Sequence, residues 1–163
     1  MKRRLAVILL ATLPFPALRA AQPIGLRTAS PRSVLEKALV QAAEKLDSPA
    51  CLVVLSDFRD SSGRSLAERL ARTGLSAPDF LSRLEFRDGR NEDLCHRRHV
   101  DAFTVVGGST VWTCPGGSLS LGGDNLRAGA NTLIHEMLHA LGLGENPPLP
   151  LEITRRVRDR CGL

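Results

Sequence analysis

Apolar residues recur every three or four positions in several segments of the chain. These segments are residues 34–47, 65–73, 78–84, 125 or 131 to 143, and 150–160. Such spacing places the apolar side chains on one face of a helix, so each segment predicts an amphipathic helix packed on a core. Ser48 and Pro49 end the first of them.

Other segments have the pattern of β-strands. Cys51–Leu55 is a continuous apolar run with β-branched residues, which predicts a buried strand. Residues 102–106 and 110–114 flank a Gly-Gly-Ser segment and predict a hairpin. Ser118–Leu121 alternates with a period of two residues and predicts an edge strand.

The first 20 residues have the composition of an export signal. A basic start, an apolar run and two prolines follow one another at residues 2–4, 5–13 and 14–16. The apolar run is shorter than the ~20 residues that a bilayer crossing needs. We therefore predict a signal peptide over residues 1–20 and a secreted or periplasmic monomer over residues 21–163, with no stable membrane association after cleavage. Because Leu18 suits a cleavage site poorly, an uncleaved anchor is the alternative.

Most of the net charge of the chain lies in this signal. The net charge is +5, with 22 basic and 17 acidic residues, but four of the basic residues and none of the acidic ones lie in residues 1–20. The remaining 18 basic and 17 acidic residues give a net charge of +1. No nucleic-acid partner is therefore expected. Four arginines, at positions 155, 156, 158 and 160, are expected to form the solvated face of the last helix.

All four cysteines lie after the signal. An even number of cysteines in an oxidising compartment favours two disulfides, and three pairings are possible. We prefer Cys95–Cys114, which would clip a loop to a strand, and Cys51–Cys161, which would tie the C-terminus back to the sheet. Metal binding by thiolates is disfavoured because no two cysteines have Cys-x-x-Cys spacing.

The helical pattern ending at 143 carries the candidate chemistry. His135 and His139 are four residues apart, so both imidazoles lie on the same face of a helix and can bind one ion. Glu136 lies on the neighbouring flank, within reach of a metal-bound water. This arrangement suits hydrolysis, in which zinc activates a water and the carboxylate transfers its proton.

A third ligand is needed to hold zinc firmly. Glu145 lies six residues after His139, and Gly142 or Gly144 can end the helix so that the chain folds back. The following Asn146-Pro147-Pro148 segment prevents the helix from resuming. We therefore predict one zinc ion bound by His135, His139 and Glu145.

Three further polar residues could contribute to the site. His96 and His99, in the polar loop predicted over 87–99, are also candidates for the third ligand. Asp101 is a candidate hydrogen-bond partner for a histidine Nδ1–H. The histidines of the helix could also be purely structural core residues. However, burial of three ionisable groups on an apolar helix would lower the stability of the fold by several kcal/mol unless the groups act together, for example in binding a metal.

Residues 135–145 resemble the extended metzincin motif HExxHxxGxx(H/D) of the zincin metallopeptidases. By this resemblance His135 and His139 are zinc ligands, Glu136 is the general base and Glu145 is the third ligand. The resemblance also implies that the strand Ser118–Leu121 binds an extended peptide substrate.

The chain departs from that family in three respects. The last motif position is glutamate, no methionine follows Met137 to form a Met-turn, and only 18 residues follow Glu145. There is also no tyrosine, so another donor must stabilise the oxyanion; His96, His99, an arginine or a backbone N–H are the candidates.

The expected fold is a single α+β zincin-like domain, with a small twisted mixed sheet, helix 34–47 and the active-site helix on one face, and a C-terminal helix held by Cys161. The expected function is zinc-dependent hydrolysis of peptide bonds outside the cytoplasm. The alternative is a non-catalytic zinc-binding interaction domain of the cell envelope, and a hydrolase of cell-wall amides is a third possibility. Residues 21–48 either belong to the domain or form a pro-segment.

Overall fold

The computed structural model describes residues 29–119 and 126–163, so the predicted signal peptide lies outside it. The helices are α1 (Ala29–Leu46), α2 (Pro49–Leu52), α3 (Val54–Asp57), α4 (Leu66–Ala71), α5 (Ala77–Ser82), α6 (Leu126–Ala140) and α7 (Pro150–Cys161). The strands are β1 (Glu85–Asp88), β2 (Ala102–Thr104) and β3 (Thr110–Thr113), and a short 3-10 turn spans Asp93–His96. Each of the five predicted helices has a counterpart, and the α+β class is confirmed.

The strands form one small mixed sheet in the order β1-β3-β2. The central strand β3 is parallel to β1 and antiparallel to β2. The predicted hairpin is therefore confirmed as β2 and β3. Phe103 lies opposite Trp112 in this pair, and their rings stack with centroids 5.1 Å apart.

The strand predicted over Cys51–Leu55 is wrong, because this segment belongs to α2 and α3. The Ser48 hydroxyl accepts a hydrogen bond from the Cys51 backbone N–H, and Pro49 occupies the first turn of α2. Both features favour the start of a helix. The apolar run is still buried, but against other helices rather than inside a sheet.

Helix α6 packs against α1 and also contacts β2. Its packing against α1 is close at Gly129, where a Cβ would lie 3.1 Å from the Cβ of Ala38. The principal partners of α1 are α6, α5 and α2, so α1 packs behind α6 rather than on the sheet as predicted. Helix α1 contributes Leu35, Ala38, Ala42 and Leu46 to the hydrophobic core.

Both preferred disulfides are present. Cys95–Cys114 joins the 3-10 turn to the end of β3, as predicted. Cys51–Cys161 joins α2 to α7, and not the sheet to the C-terminus. Because its cysteines are 110 residues apart, this second bond removes on the order of 4–5 kcal/mol of chain entropy from the unfolded state. Two disulfides indicate an oxidising compartment.

Helix α7 is also held by charge. Asp57 of α3 pairs with Arg160 at 2.8 Å and with Arg156 at 3.5 Å. The predicted solvated basic face of the last helix is therefore partly ion-paired. In the part of the chain that the structure describes, no helix combines the length and apolarity of a membrane span.

Candidate metal centre

His135 and His139 lie on the same face of α6, as their spacing predicts. Their Nε2 atoms are 2.9 Å apart. Both side chains are buried, with 8% and 5% of the residue surface exposed. Burial, and to a smaller extent the charge of His139, lowers the pKa of His135 to about 3. The His135 imidazole is therefore neutral at pH 7, the form that binds a metal.

The turn after α6 reverses the chain toward these histidines. Gly142 has a φ of +108°, a conformation that favours glycine. Its N–H donates to the His139 carbonyl at 2.9 Å, and the Leu143 N–H donates to the Leu138 carbonyl at 3.0 Å, which is the Schellman pattern. A Cβ at Gly142 would lie 3.5 Å from the Cβ of Asp60, so the turn also packs closely on a neighbouring loop.

Glu145 is brought back to the two imidazoles by this turn. Its Oε1 atom lies 3.2 Å from His139 Nε2 and 3.6 Å from His135 Nε2. Its side chain is 37% exposed, so the group opens to solvent on this side. Among the described residues, this is the group of three His, Cys, Asp or Glu side chains whose ligand atoms converge, within 4.8 Å of one another. These three side chains could hold a metal ion.

The two loop histidines are not brought to this group. His99 lines the cleft beside the converging side chains, whereas His96 lies in the 3-10 turn, and neither joins the set of ligand atoms. Asp101 is not a histidine partner, because its Oδ2 accepts a hydrogen bond from the Ser118 N–H at 3.1 Å. Among the candidates for the third ligand, the geometry therefore favours Glu145.

The outer nitrogen of each histidine has a partner that orients the ring. His139 Nδ1 lies 2.8 Å from the Leu143 carbonyl oxygen. Because a carbonyl only accepts, His139 Nδ1 carries a proton, and Nε2 is the ring nitrogen that faces Glu145. His135 Nδ1 lies 2.9 Å from the Thr154 hydroxyl of α7, and the Asn131 amide donates to the Thr154 carbonyl at 3.2 Å. The sequence pattern carries no signal for Thr154, since only the docking of α7 brings it here.

Replacing Thr154 with valine should lower zinc affinity about 10- to 100-fold, the usual effect of losing a hydrogen bond to a ligating histidine. Valine keeps the shape of threonine and leaves the backbone contact with Asn131 in place. Competition with a chelating dye measures the affinity. Thr132→Val is the matched control, because Thr132 lines the same cleft but bonds to Ser118. Equal affinities for the two variants would contradict the orienting role of Thr154.

Glu136 lies beside the histidines and is 5% exposed. Burial raises its pKa to about 8, and the Glu145 carboxylate adds to the rise. The neighbouring Thr104 hydroxyl lowers the pKa and so partly offsets this rise. Among the described residues, Glu136 Oε2 is buried without a hydrogen-bond partner. A buried carboxyl with a pKa near neutrality and a free oxygen is suited to proton transfer.

A cleft of about 910 Å³ opens over this group. One wall is β2 with the following Val105 and Val106, and another is the loop 97–101. Pro150 and Thr154 of α7 also line it. Glu136 and the three converging side chains therefore line one open cleft.

The edge strand predicted over Ser118–Leu121 is not found where the structure describes it. Ser118 and Leu119 form a buried turn, while Ser120 and Leu121 lie outside the described residues. The strand that lines the cleft is β2. Within the described residues, β2 pairs with β3 along one edge and with no strand along the other.

The fold and the site define an α+β domain with a His, His and Glu group in an open cleft, in which α6 carries the two histidines and the turn after it carries the glutamate. No protein-family model matches the chain, and neither a curated protein nor a solved structure is found to be similar to it. The resemblance to zincins therefore depends on the sequence of residues 135–145.

Proposed function

We propose that this protein is an exported, zincin-like metallopeptidase that hydrolyses peptide bonds with one zinc ion. The observation that carries the proposal is the placement of a buried carboxyl, Glu136, beside three converging ligand atoms. Export is supported by the two disulfides and by the composition of residues 1–20. The burial of the Glu136 carboxyl beside these atoms supports a catalytic site over a non-catalytic one.

The spacing of the three ligand atoms fits zinc. Nitrogen and oxygen atoms bound to a tetrahedral zinc at about 2.0–2.1 Å lie ~3.3 Å from one another. The corresponding distances here are 2.9, 3.2 and 3.6 Å. Two imidazoles and one carboxylate are also a ligand set of catalytic zinc sites, which keep a fourth position for water.

Zinc, when bound, would lower the pKa of a water ligand to about 7 and polarise the scissile carbonyl. Glu136 would accept the proton of the attacking water and donate it to the leaving amine. A bound cation would lower the pKa of Glu136, which burial raises to about 8 in the metal-free protein, and so would favour the carboxylate form that acts as a base. Thr154 and the Leu143 carbonyl hold the two imidazoles in the orientation that this chemistry needs.

The substrate is proposed to bind as an extended chain along the unpaired edge of β2. Backbone pairing with an edge strand gives affinity that is independent of side chains. Because the chain has no tyrosine, the oxyanion needs another donor, and His99 is the candidate histidine that lines the cleft.

The test is digestion of denatured casein by the protein without residues 1–20. We expect hydrolysis that a chelator abolishes and an equimolar addition of zinc restores. Zinc binding without hydrolysis of casein or of a broad peptide mixture would overturn the proposal. It would support the non-catalytic envelope domain instead.

A further inference from the structure

The loop 97–101, which forms one wall of the cleft, carries two arginines. Arg97 and Arg98 both line the cleft together with His135, Glu136 and Glu145. Both are exposed, and in the part of the chain that the structure describes neither side chain has an ion pair or hydrogen bond with a protein group. By contrast, Arg87 and Arg90, earlier in the same region, are each paired with a carboxylate at 2.8 Å.

The loop that carries these arginines is fixed at both ends. Cys95, two residues before Arg97, is bonded to Cys114. On the other side of the loop, the Asp101 carbonyl accepts a hydrogen bond from the Cys114 N–H at 2.9 Å, and its carboxylate accepts one from the Ser118 N–H. The Arg97 N–H also donates to the Leu94 carbonyl at 3.1 Å. The backbone of the arginine pair is therefore held in place before a ligand binds, which lowers the entropic cost of binding.

The charges around the cleft favour an anionic ligand once the metal is present. The acidic residues that line it are Asp101, Glu136 and Glu145. A divalent cation offsets the charges of Glu136 and Glu145, and the Asp101 carboxylate is already engaged by a backbone N–H. The two arginines then exceed the remaining negative charge. Guanidinium groups bind carboxylates through paired, charge-assisted hydrogen bonds.

We propose that Arg97 and Arg98 bind an acidic side chain of the peptide substrate and so give the protein a preference for glutamate or aspartate near the scissile bond. This inference rests on the proposed function for the identity of the substrate. The apolar wall formed by Phe103, Val105 and Val106 accepts the remaining side chains of such a peptide.

The test compares two short alanine–leucine peptides that differ at one position, glutamate against glutamine, with that position scanned along the peptide. Binding is measured by calorimetry on the zinc-loaded Glu136→Gln protein, so that nothing is cleaved. At the best position we expect the glutamate peptide to bind about tenfold more tightly, the scale of one charge-assisted hydrogen bond. The difference should shrink as salt is raised.

The double variant Arg97→Gln/Arg98→Gln, made in the same Glu136→Gln background, should lose this difference. Arg155→Gln is the matched control, because Arg155 is exposed on α7 and does not line the cleft. Equal binding of the two peptides at every position, or a preference that survives in the double variant, would overturn the inference. If the double variant fails to fold, the salt dependence of the glutamate preference is measured on the Glu136→Gln protein instead. A preference that does not change with salt concentration would contradict the inference.

Turnover by the unmodified protein is a separate readout. Hydrolysis without a glutamate preference leaves the proposed function standing and removes the inference. An arginine-dependent glutamate preference without hydrolysis removes the proposed function and supports the anion-binding role of the loop. The two failures are thus distinguishable.

Discussion

Glu136→Gln should abolish peptide hydrolysis while zinc binding is retained. Glutamine has the shape of glutamate but cannot take a proton from water, and general-base catalysis is worth about 10²–10⁴-fold in rate. The fold should tolerate the change, because burial already holds the pKa of Glu136 at about 8 and the carboxyl of the metal-free protein is largely neutral at pH 7. The initial rate of peptide cleavage and the zinc content per chain are the two measurements.

The control for this variant is Glu44→Gln, the same substitution at an exposed position of α1. It should leave both the rate and the zinc content unchanged. A Glu136→Gln protein that cleaves peptides at the rate of the unmodified protein would refute the proposed mechanism. A variant that loses its zinc would show that Glu136 acts at the metal site rather than as a base.

Glu145→Ala should bind little zinc, whereas we expect the unmodified protein to bind about one ion per chain. Loss of one of three protein ligands leaves only the two imidazoles of α6. We expect the affinity to fall by more than the 10- to 100-fold that the loss of an outer hydrogen-bond partner costs. Because binding to the folded state adds to stability by mass action, the variant should also lose the zinc-induced rise in Tm. Metal analysis after dialysis and thermal unfolding with and without zinc measure the two effects.

The double variant His96→Ala/His99→Ala is the control, since neither histidine joins the converging group. It should keep its zinc, and His139→Ala should lose it as Glu145→Ala does. Retention of one zinc by Glu145→Ala together with its loss from the loop double variant would contradict the assignment of the third ligand. That result would assign the third ligand to the loop.

The site depends on three segments that are held by different forces. Helix α6 positions the two histidines, the turn at Gly142 returns Glu145, and α7 supplies Thr154. The turn is supported from outside, because Arg69 donates to the Leu141 carbonyl at 3.2 Å and pairs with Asp60 at 3.4 Å. The disulfide between α2 and α7 lies at the far end of α7, where it holds the helix against the core.

The segments whose structure differs from the prediction are short, and their patterns fit more than one kind of element. Cys51–Leu55 is apolar along its whole length, and a short run of this kind suits a buried strand and a buried helix equally. The preceding Ser48-Pro49 pair favours the helix, because it supplies the N-cap and the first-turn proline. Strand β1 lies at the edge of the sheet, and its buried apolar residue is Phe86. The other residues of β1 are polar, so the sequence of this strand resembles the start of a loop. The alternation in Ser118–Leu121 was too short to establish a strand.

The sequence by itself determined the features that depend on short separations along the chain. The spacing of His135 and His139, the glycine that ends α6 and the return of Glu145 follow from the local geometry of a helix and its C-cap. Composition and pattern were also enough for the α+β class and the β2–β3 hairpin, whereas they left three disulfide pairings possible, of which the structure contains the preferred one.

Only the tertiary structure decided the contacts that join distant segments. Thr154 reaches His135 across 19 residues, β2 rather than Ser118–Leu121 lines the cleft, and the loop with Arg97 and Arg98 faces the histidines. Each of these placements depends on how amphipathic faces pack against one another in three dimensions. A hydrophobic pattern predicts which face of a helix or strand is buried, but it does not predict which other element packs against that face. Contacts between distant segments therefore cannot be predicted from residue spacing alone.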